Sequence, residues 1–251
     1  MTKPPATARL DRLLGNMGYG SRREIAMLAK AGRIVLDGAA VGDADRRIAV
    51  TDDLPARMTV DGEPLDPPPG MVLMLNKPLG VTCSHKEAGP LVYGLLPPRW
   101  RSRDPAISTI GRLDKETTGL LLLTDDGDLL HRIISPRSRI TKRYRATLAR
   151  PLQGHEGAAF ASGTLMLEGE DAPLLPAVLA PLSETEALVT VVEGRYHQVR
   201  RMFAAVGNHV TALRRDRIGG LELPDGLAVG SYRVLGAVDV AAIFARAGVP
   251  T

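Results

Sequence analysis

A carboxylate, a phenol and a guanidinium stand in three short segments of this chain. They are Asp114 in Gly-Arg-Leu-Asp, Tyr144 in Lys142-Arg143-Tyr144, and Arg200 in Glu193-Gly-Arg-Tyr-His-Gln-Val-Arg-Arg-Met202. The set is sparse. It suits nucleophilic or acid-base work on a substrate that already carries its own leaving group. A loop acid taken alone most often only caps a turn, so the case for Asp114 rests on its company: Arg112 and Lys115 beside it, and the two other segments downstream.

The elements that must position these residues can be read from the pattern. After Asp114, Leu120 to Leu123 form an apolar run bounded by turn residues, which suits a strand covered on both faces. Thr124-Asp125-Asp126-Gly127 then supplies a stop. Met71–Leu75 is a second buried-strand run, a helix is expected over Leu129–Ile134, and a strand around Lys142–Leu148 carries Tyr144. Arg195 to Val206 reads as a helix with Val199, Met202, Phe203 and Val206 inward. Residues 151–192 read as short apolar runs and turns, and Val210–Leu213 and Ser231–Leu235 as late strands. Strands outnumber helices without βαβ alternation, which predicts an α+β fold on a mixed sheet.

The N-terminal quarter reads as a separate module over 9–66, after a tail at 1–8. Leu10, Leu13, Leu14 and Met17 fall at helical spacing, and Ser21-Arg22-Arg23-Glu24 has the capping-box pattern that opens a second helix. Arg33-Ile-Val-Leu36 followed by Asp37-Gly38 signals a hairpin. The prolines of 67–70 read as a stiff linker to a second domain at 71–251.

Composition narrows the chemistry. One cysteine, Cys83, and five scattered histidines offer no disulfide and no zinc-ligand spacing, and no structural metal is expected. No apolar run approaches the roughly 20 residues of a membrane span, and the N-terminus lacks a signal-peptide core, so a cytoplasmic protein is expected. The net charge is only +4, yet it is distributed in blocks. Leu129–Arg150 holds seven Lys/Arg and no acid, Pro151–Val192 six acids and no Lys/Arg, and Gly194–Ile218 six arginines against one acid. Such alternation predicts a basic face and an acidic back, the footprint of a polyanion binder.

The motifs also carry a family resemblance. Gly-Arg-Leu-Asp-x-x-Thr-x-Gly-Leu-Leu-Leu-Leu-Thr, Lys-x-Tyr and Glu-Gly-x-x-x-Gln-Val-x-Arg-Met occur in this order, after Asn76-Lys77-Pro78-x-Gly80. Together they resemble the pseudouridine synthase family, and the 9–66 module resembles the S4 RNA-binding domain that precedes the catalytic domain in its small branch. The resemblance covers nearly all of 9–236. Tyr196-His197-Gln198-Val199, Phe203-Ala-Ala-Val-Gly-Asn-His209 and Arg217-Ile-Gly-Gly220 are similar to the branch acting on 16S rRNA, the RsuA type. Relatives acting on 23S rRNA usually have Asn-Arg or a similar pair at Tyr196-His197.

The resemblance implies an isomerisation in which the uracil N1–C1′ bond breaks, the base turns, and it rejoins through C5. That reaction needs no cofactor or metal. Asp114 would act on the ribose as nucleophile or base, with Arg200 as the cation that keeps it ionised. Tyr144 would stack on the detached uracil, and Arg112 would help hold the target out of its helix, a flip costing roughly a few kcal/mol. Arg22, Arg23 and Arg33 of the S4-like module, with Lys77, Lys142, Arg143, Arg195, His197 and Arg201, are the expected RNA contacts. Tyr196 reads as packing against the sheet, outside the catalytic set. The expected partner is 16S rRNA, free or in a small-subunit assembly intermediate, bound by a monomer. The alternatives are the same chemistry on 23S rRNA, or a non-catalytic RNA-binding assembly factor.

Overall fold

Helix formation at the N-terminus follows from burial of one stripe. In the computed structural model, which describes residues 6–84, 86 and 88–245, strand β1 (Ala6–Arg9) runs directly into helix α1 (Leu10–Asn16). Leu10, Leu13, Leu14 and Met17 are all buried. Of the expected tail, residues 1–5 lie outside the described residues, and 6–8 belong to β1. Ser21 caps α2 (Arg22–Lys30): its hydroxyl accepts from Glu24 N while Glu24 Oε2 accepts from Ser21 N at 2.7 Å. The reciprocal pair satisfies two otherwise orphaned helix N–H groups. The hairpin of β2 (Ile34–Leu36) and β3 (Ala39–Ala40) turns through Asp37 and Gly38, at φ 52° and 79°. Strands β4 (Arg47–Val50), β5 (Met58–Val60) and β6 (Glu63–Pro64) and the short helix α3 (Leu54–Arg57) complete this part.

The chain divides into two compact units. The first runs through Val72 and includes two later segments, Leu96–Ser108 and Thr124–Gly127. Within it, Arg99 lies over the Tyr19 ring and pairs with Asp66 at 2.7 Å. Arg103 and Asp125 form a fully buried ion pair at 2.8 Å, Arg103 also donating to Pro67 O and Asp125 accepting from Gly70 N. The prolines read as a linker are thus hydrogen-bonded at both ends of the 67–70 stretch.

The second unit is built on a mixed, largely antiparallel sheet. Its strands are β7 (Val72–Lys77), β8 (Ser108–Ile110), β9 (Thr117–Thr124), β10 (Lys142–Leu148), β11 (Val178–Pro181), β12 (Glu186–Val191), β13 (Val210–Ile218), β14 (Leu221–Glu222) and β15 (Tyr232–Val234). The main order is β11-β12-β10-β13-β9-β7-β15. β10 lies antiparallel between β12 and β13, while β13 and β9 run parallel, with Arg215 opposite Gly119. Gly119 has φ 100°, and a Cβ there would lie 2.2 Å from Arg215 O, so this crossing tolerates only glycine. Leu120 to Leu123 are completely buried, as their run demands. Flanking helices are α4 (Gly127–Ile134), α5 (Glu156–Ala161), α6 (Gln198–Ala205) and α7 (Ala237–Ile243).

Four elements differ from the sequence reading. The 151–192 block holds helix α5, too short for a periodic signal, whose Phe160 meets Phe203 edge-on at 5.2 Å. Helix α7 lies beyond the last expected strand. β13 runs on to Ile218, because Arg214, Arg215 and Arg217 interrupt the apolar pattern without interrupting the pairing. α6 starts at Gln198 rather than Arg195, since His197 adopts a left-handed conformation, φ 48° and ψ 32°, that a helix interior excludes.

Candidate active site

Asp114 sits on the loop between β8 and β9, at the first position of a turn closed by Thr117 N donating to Asp114 O at 3.0 Å. The turn is held from beneath through its carbonyls. Lys77 Nζ donates to Thr117 O at 2.8 Å and Lys115 O at 3.4 Å, Gly80 N donates to Lys115 O at 3.0 Å, and Arg200 Nη2 donates to Glu116 O at 3.1 Å. Arg200 Nη1 also reaches Val210 O at 3.0 Å, so one guanidinium joins α6, β13 and the Asp114 turn. Such clamping of a loop against rigid strands holds its side chains in one geometry.

Two sequence expectations change here. Lys77, expected on RNA, is completely buried, because its ammonium is needed to satisfy the carbonyls of the Asp114 turn. Arg200 was the expected charge partner of Asp114, but its nitrogens are directed at carbonyls. Among the described residues the imidazole of His197 lies within 4 Å of the carboxylate, with Nε2 3.6 Å from Oδ1. The Thr117 hydroxyl lies 3.4 Å from Oδ2. His197 therefore faces the acid itself. Its backbone strain, of order 1–3 kcal/mol for a non-glycine residue held in this region, is sustained by Gln198, whose carboxamide folds back to accept from Arg195 N at 3.0 Å and donate to Glu193 at 3.1 Å.

We expect Arg200→Met to lower kcat by about 10²-fold through a misplaced Asp114, with little change in RNA affinity. Single-turnover rates and a binding isotherm test this, and a normal rate in the Met variant would remove Arg200 from the positioning set.

Tyr144 lies on β10 opposite Arg215 of β13. Arg215 is buried without a carboxylate partner among the described residues. Its Nε donates to Leu120 O at 2.8 Å and its Nη1 lies 3.4 Å from the Tyr144 hydroxyl. The sequence reading missed this residue; an arginine at an inward position of a strand was the available signal. Lys142, two residues before Tyr144 and on the same face, has its pKa pulled down to about 8, chiefly by burial and secondarily by Arg215, with Glu193 opposing.

The sign of this shift gives a pH test. Below about pH 8 the ammonium is charged in folded and unfolded chains alike and its burial penalty is carried in full. Between about 8 and the ordinary 10.5 the folded protein sheds its proton first, so stability rises with pH. Relative to Lys142→Met, the native protein should gain about 2–3 kcal/mol between pH 7 and 10. Urea unfolding of both proteins measures this, and a constant difference across the range would contradict it.

The remaining predicted contacts separate into two groups. Arg22 and Arg23 are exposed in the first turn of α2, and Arg112 is exposed just before Asp114. Arg33, by contrast, pairs with Asp61. Arg143 pairs with Asp216 at 2.8 Å and Glu222 at 3.2 Å. Arg195 pairs with Glu170 and Glu193, each at 3.1 Å, and Arg201 with Glu170 at 2.8 Å. The expected division into basic face and acidic back is corrected accordingly. Glu170 of the acidic 151–192 block pairs with both Arg195 and Arg201 of the basic 194–218 block, so the two blocks meet there.

Comparison with known proteins agrees with this chemistry. The model of the family described as RNA pseudouridylate synthase matches residues 71–205. The chain is 39% identical over 235 residues to "Ribosomal small subunit pseudouridine synthase A" of Pasteurella multocida, covering 93% of this chain and 98% of that one. Its identity to the protein of the same name from Escherichia coli is 40% over 239 residues, covering 94% and 99%. A solved structure titled "Crystal structure of pseudouridylate synthase" superposes with a TM-score of 0.66 at 36% identity, covering 94% of this chain and 99% of that one. With an isolated carboxylate on a clamped turn, a tyrosine on the adjacent part of the sheet and these relatives over almost its whole length, the chain belongs to the RNA pseudouridylate synthase family.

Proposed function

We propose that this enzyme isomerises one uridine of 16S rRNA to pseudouridine, with Asp114 as the essential carboxylate. The observation that carries the catalytic reading is the Asp114 turn, whose carbonyls are held by Lys77 and Arg200 while the Asp114 side chain stays partly exposed. The small-subunit target is supported by the names of relatives matched along nearly their full length. In the proposed reaction the N1–C1′ electron pair leaves with the base as Asp114 acts at the ribose. Tyr144, fixed by Arg215, supplies the surface on which the detached uracil turns; C5 then bonds C1′ as Asp114 is freed, and the proton lost from C5 is matched by one taken up at N1. The products contain every atom of the substrate. A pseudouridine map of rRNA from cells with and without the gene tests this: one site lost from 16S rRNA is expected, and loss from 23S rRNA or no loss would overturn the target.

The N-terminal part is proposed to be an S4-type RNA-binding arm, and the protein to act as a cytoplasmic monomer. Arg22 and Arg23, exposed at the start of α2, are its proposed phosphate contacts. Replacing both by Ala should weaken binding and reduce the slope of log K against log salt by roughly 1–2. An unchanged slope in filter binding would remove them from the interface.

A further inference from the structure

Tyr196 is expected from sequence to pack on the sheet, yet it is 73% exposed. Its ring is nonetheless not free to wander. It stacks on the His197 ring with centroids 3.9 Å apart and an interplanar angle of 18°. His197 is fixed in turn by its left-handed backbone, and its opposite end reaches Asp114. The carbonyl of Tyr196 accepts from Arg201 Nη1 at 3.2 Å, which anchors the backbone on the other side. The result is a pre-oriented aromatic layer, one ring further out than the imidazole that touches the catalytic acid, with its second face turned to solvent.

The surroundings decide what that face can bind. The three arginines nearest in sequence are all engaged: Arg195 and Arg201 with Glu170, Glu193 and nearby carbonyls, and Arg200 with the carbonyls of Val210 and Glu116. A phosphate has no unengaged cation there among these neighbours, whereas a nucleobase needs only the π-face. We propose that the outer face of Tyr196 is a stacking platform for a base of the substrate RNA that flanks the target uridine. This rests on the RNA pseudouridine synthase reading and adds a subsite to it. The target base itself belongs to Tyr144, so the Tyr196 layer serves grip and register on the RNA.

Stacking has a signature distinct from ion pairing. It releases no counterions, so its loss lowers affinity equally at all salt concentrations and leaves the salt slope unchanged. The experiment compares Tyr196→Ala, Tyr196→Phe and the native enzyme, using an unmodified 16S rRNA transcript in filter binding over a range of KCl, with pseudouridine formation measured in parallel. Tyr196→Ala should raise Kd by roughly 5- to 150-fold, the range of one base–aromatic stack, with an unchanged salt slope. The loss should fall in KM rather than kcat, and Tyr196→Phe should restore native affinity. Native-like binding by the Ala variant would overturn the proposal. So would a Phe variant as weak as Ala, which would indicate a hydroxyl contact, and so would a loss confined to kcat. A native enzyme that forms no pseudouridine on this RNA would count against the 16S reading, while the binding comparison still decides the platform.

Discussion

Asp114→Asn should abolish pseudouridine formation, by a factor on the order of 10³ or more, while leaving the fold and RNA affinity nearly intact. The substitution removes the charge and nucleophilicity of the group and keeps its size. The side chain is partly exposed, and its contacts are His197 at 3.6 Å and the Thr117 hydroxyl at 3.4 Å, both weak by distance. The turn itself is held through backbone carbonyls that the substitution does not touch. Single-turnover conversion of rRNA, a thermal melt and a binding isotherm read the three expectations separately. An Asn variant that converts uridine at a normal rate would show that the chemistry resides elsewhere.

The largest stability effect is expected within the first unit, at the Arg103–Asp125 pair. Both side chains are about 1% exposed. Breaking a buried pair by removing one partner leaves an uncompensated charge, worth about 3–5 kcal/mol. Asp125→Ala also strips Gly70 N of its acceptor, whereas Asp125→Asn retains a carbonyl for it, so Ala should be the more damaging. Urea unfolding measures the difference. An Ala variant within about 1 kcal/mol of native would mean that solvent reaches Arg103 more readily than its burial indicates.

Much of this architecture was legible before the structure. Periodicity located α1 and the core strands, and the Ser21–Glu24 pattern located the start of α2, because those signals are local. Motif order singled out Asp114, Tyr144 and Arg200, and the structure places all three in one unit. What sequence could not convey was direction. A lysine in Asn-Lys-Pro reads as a surface charge until its ammonium is seen beneath three carbonyls. Arg195 and Arg201 read as RNA contacts because their acid partner, Glu170, lies 25 and 31 residues away. His197 was read only as an RNA contact, and its place beside Asp114 was not legible because it depends on a left-handed backbone angle.

The parallel crossing of β13 on β9 also governs when the enzyme comes into being. Gly119 meets Arg215, 96 positions later by their numbering, and Arg200 needs the carbonyl of Val210. Contacts of such span close slowly, because chain entropy is lost before they return any stability. On the ribosome, Asp114 emerges long before the strand that completes its surroundings. A nascent chain halted after Ala205 would carry Asp114 and α6 but lack β13 altogether. The surroundings of Asp114 are therefore completed only once β13 is available to pair.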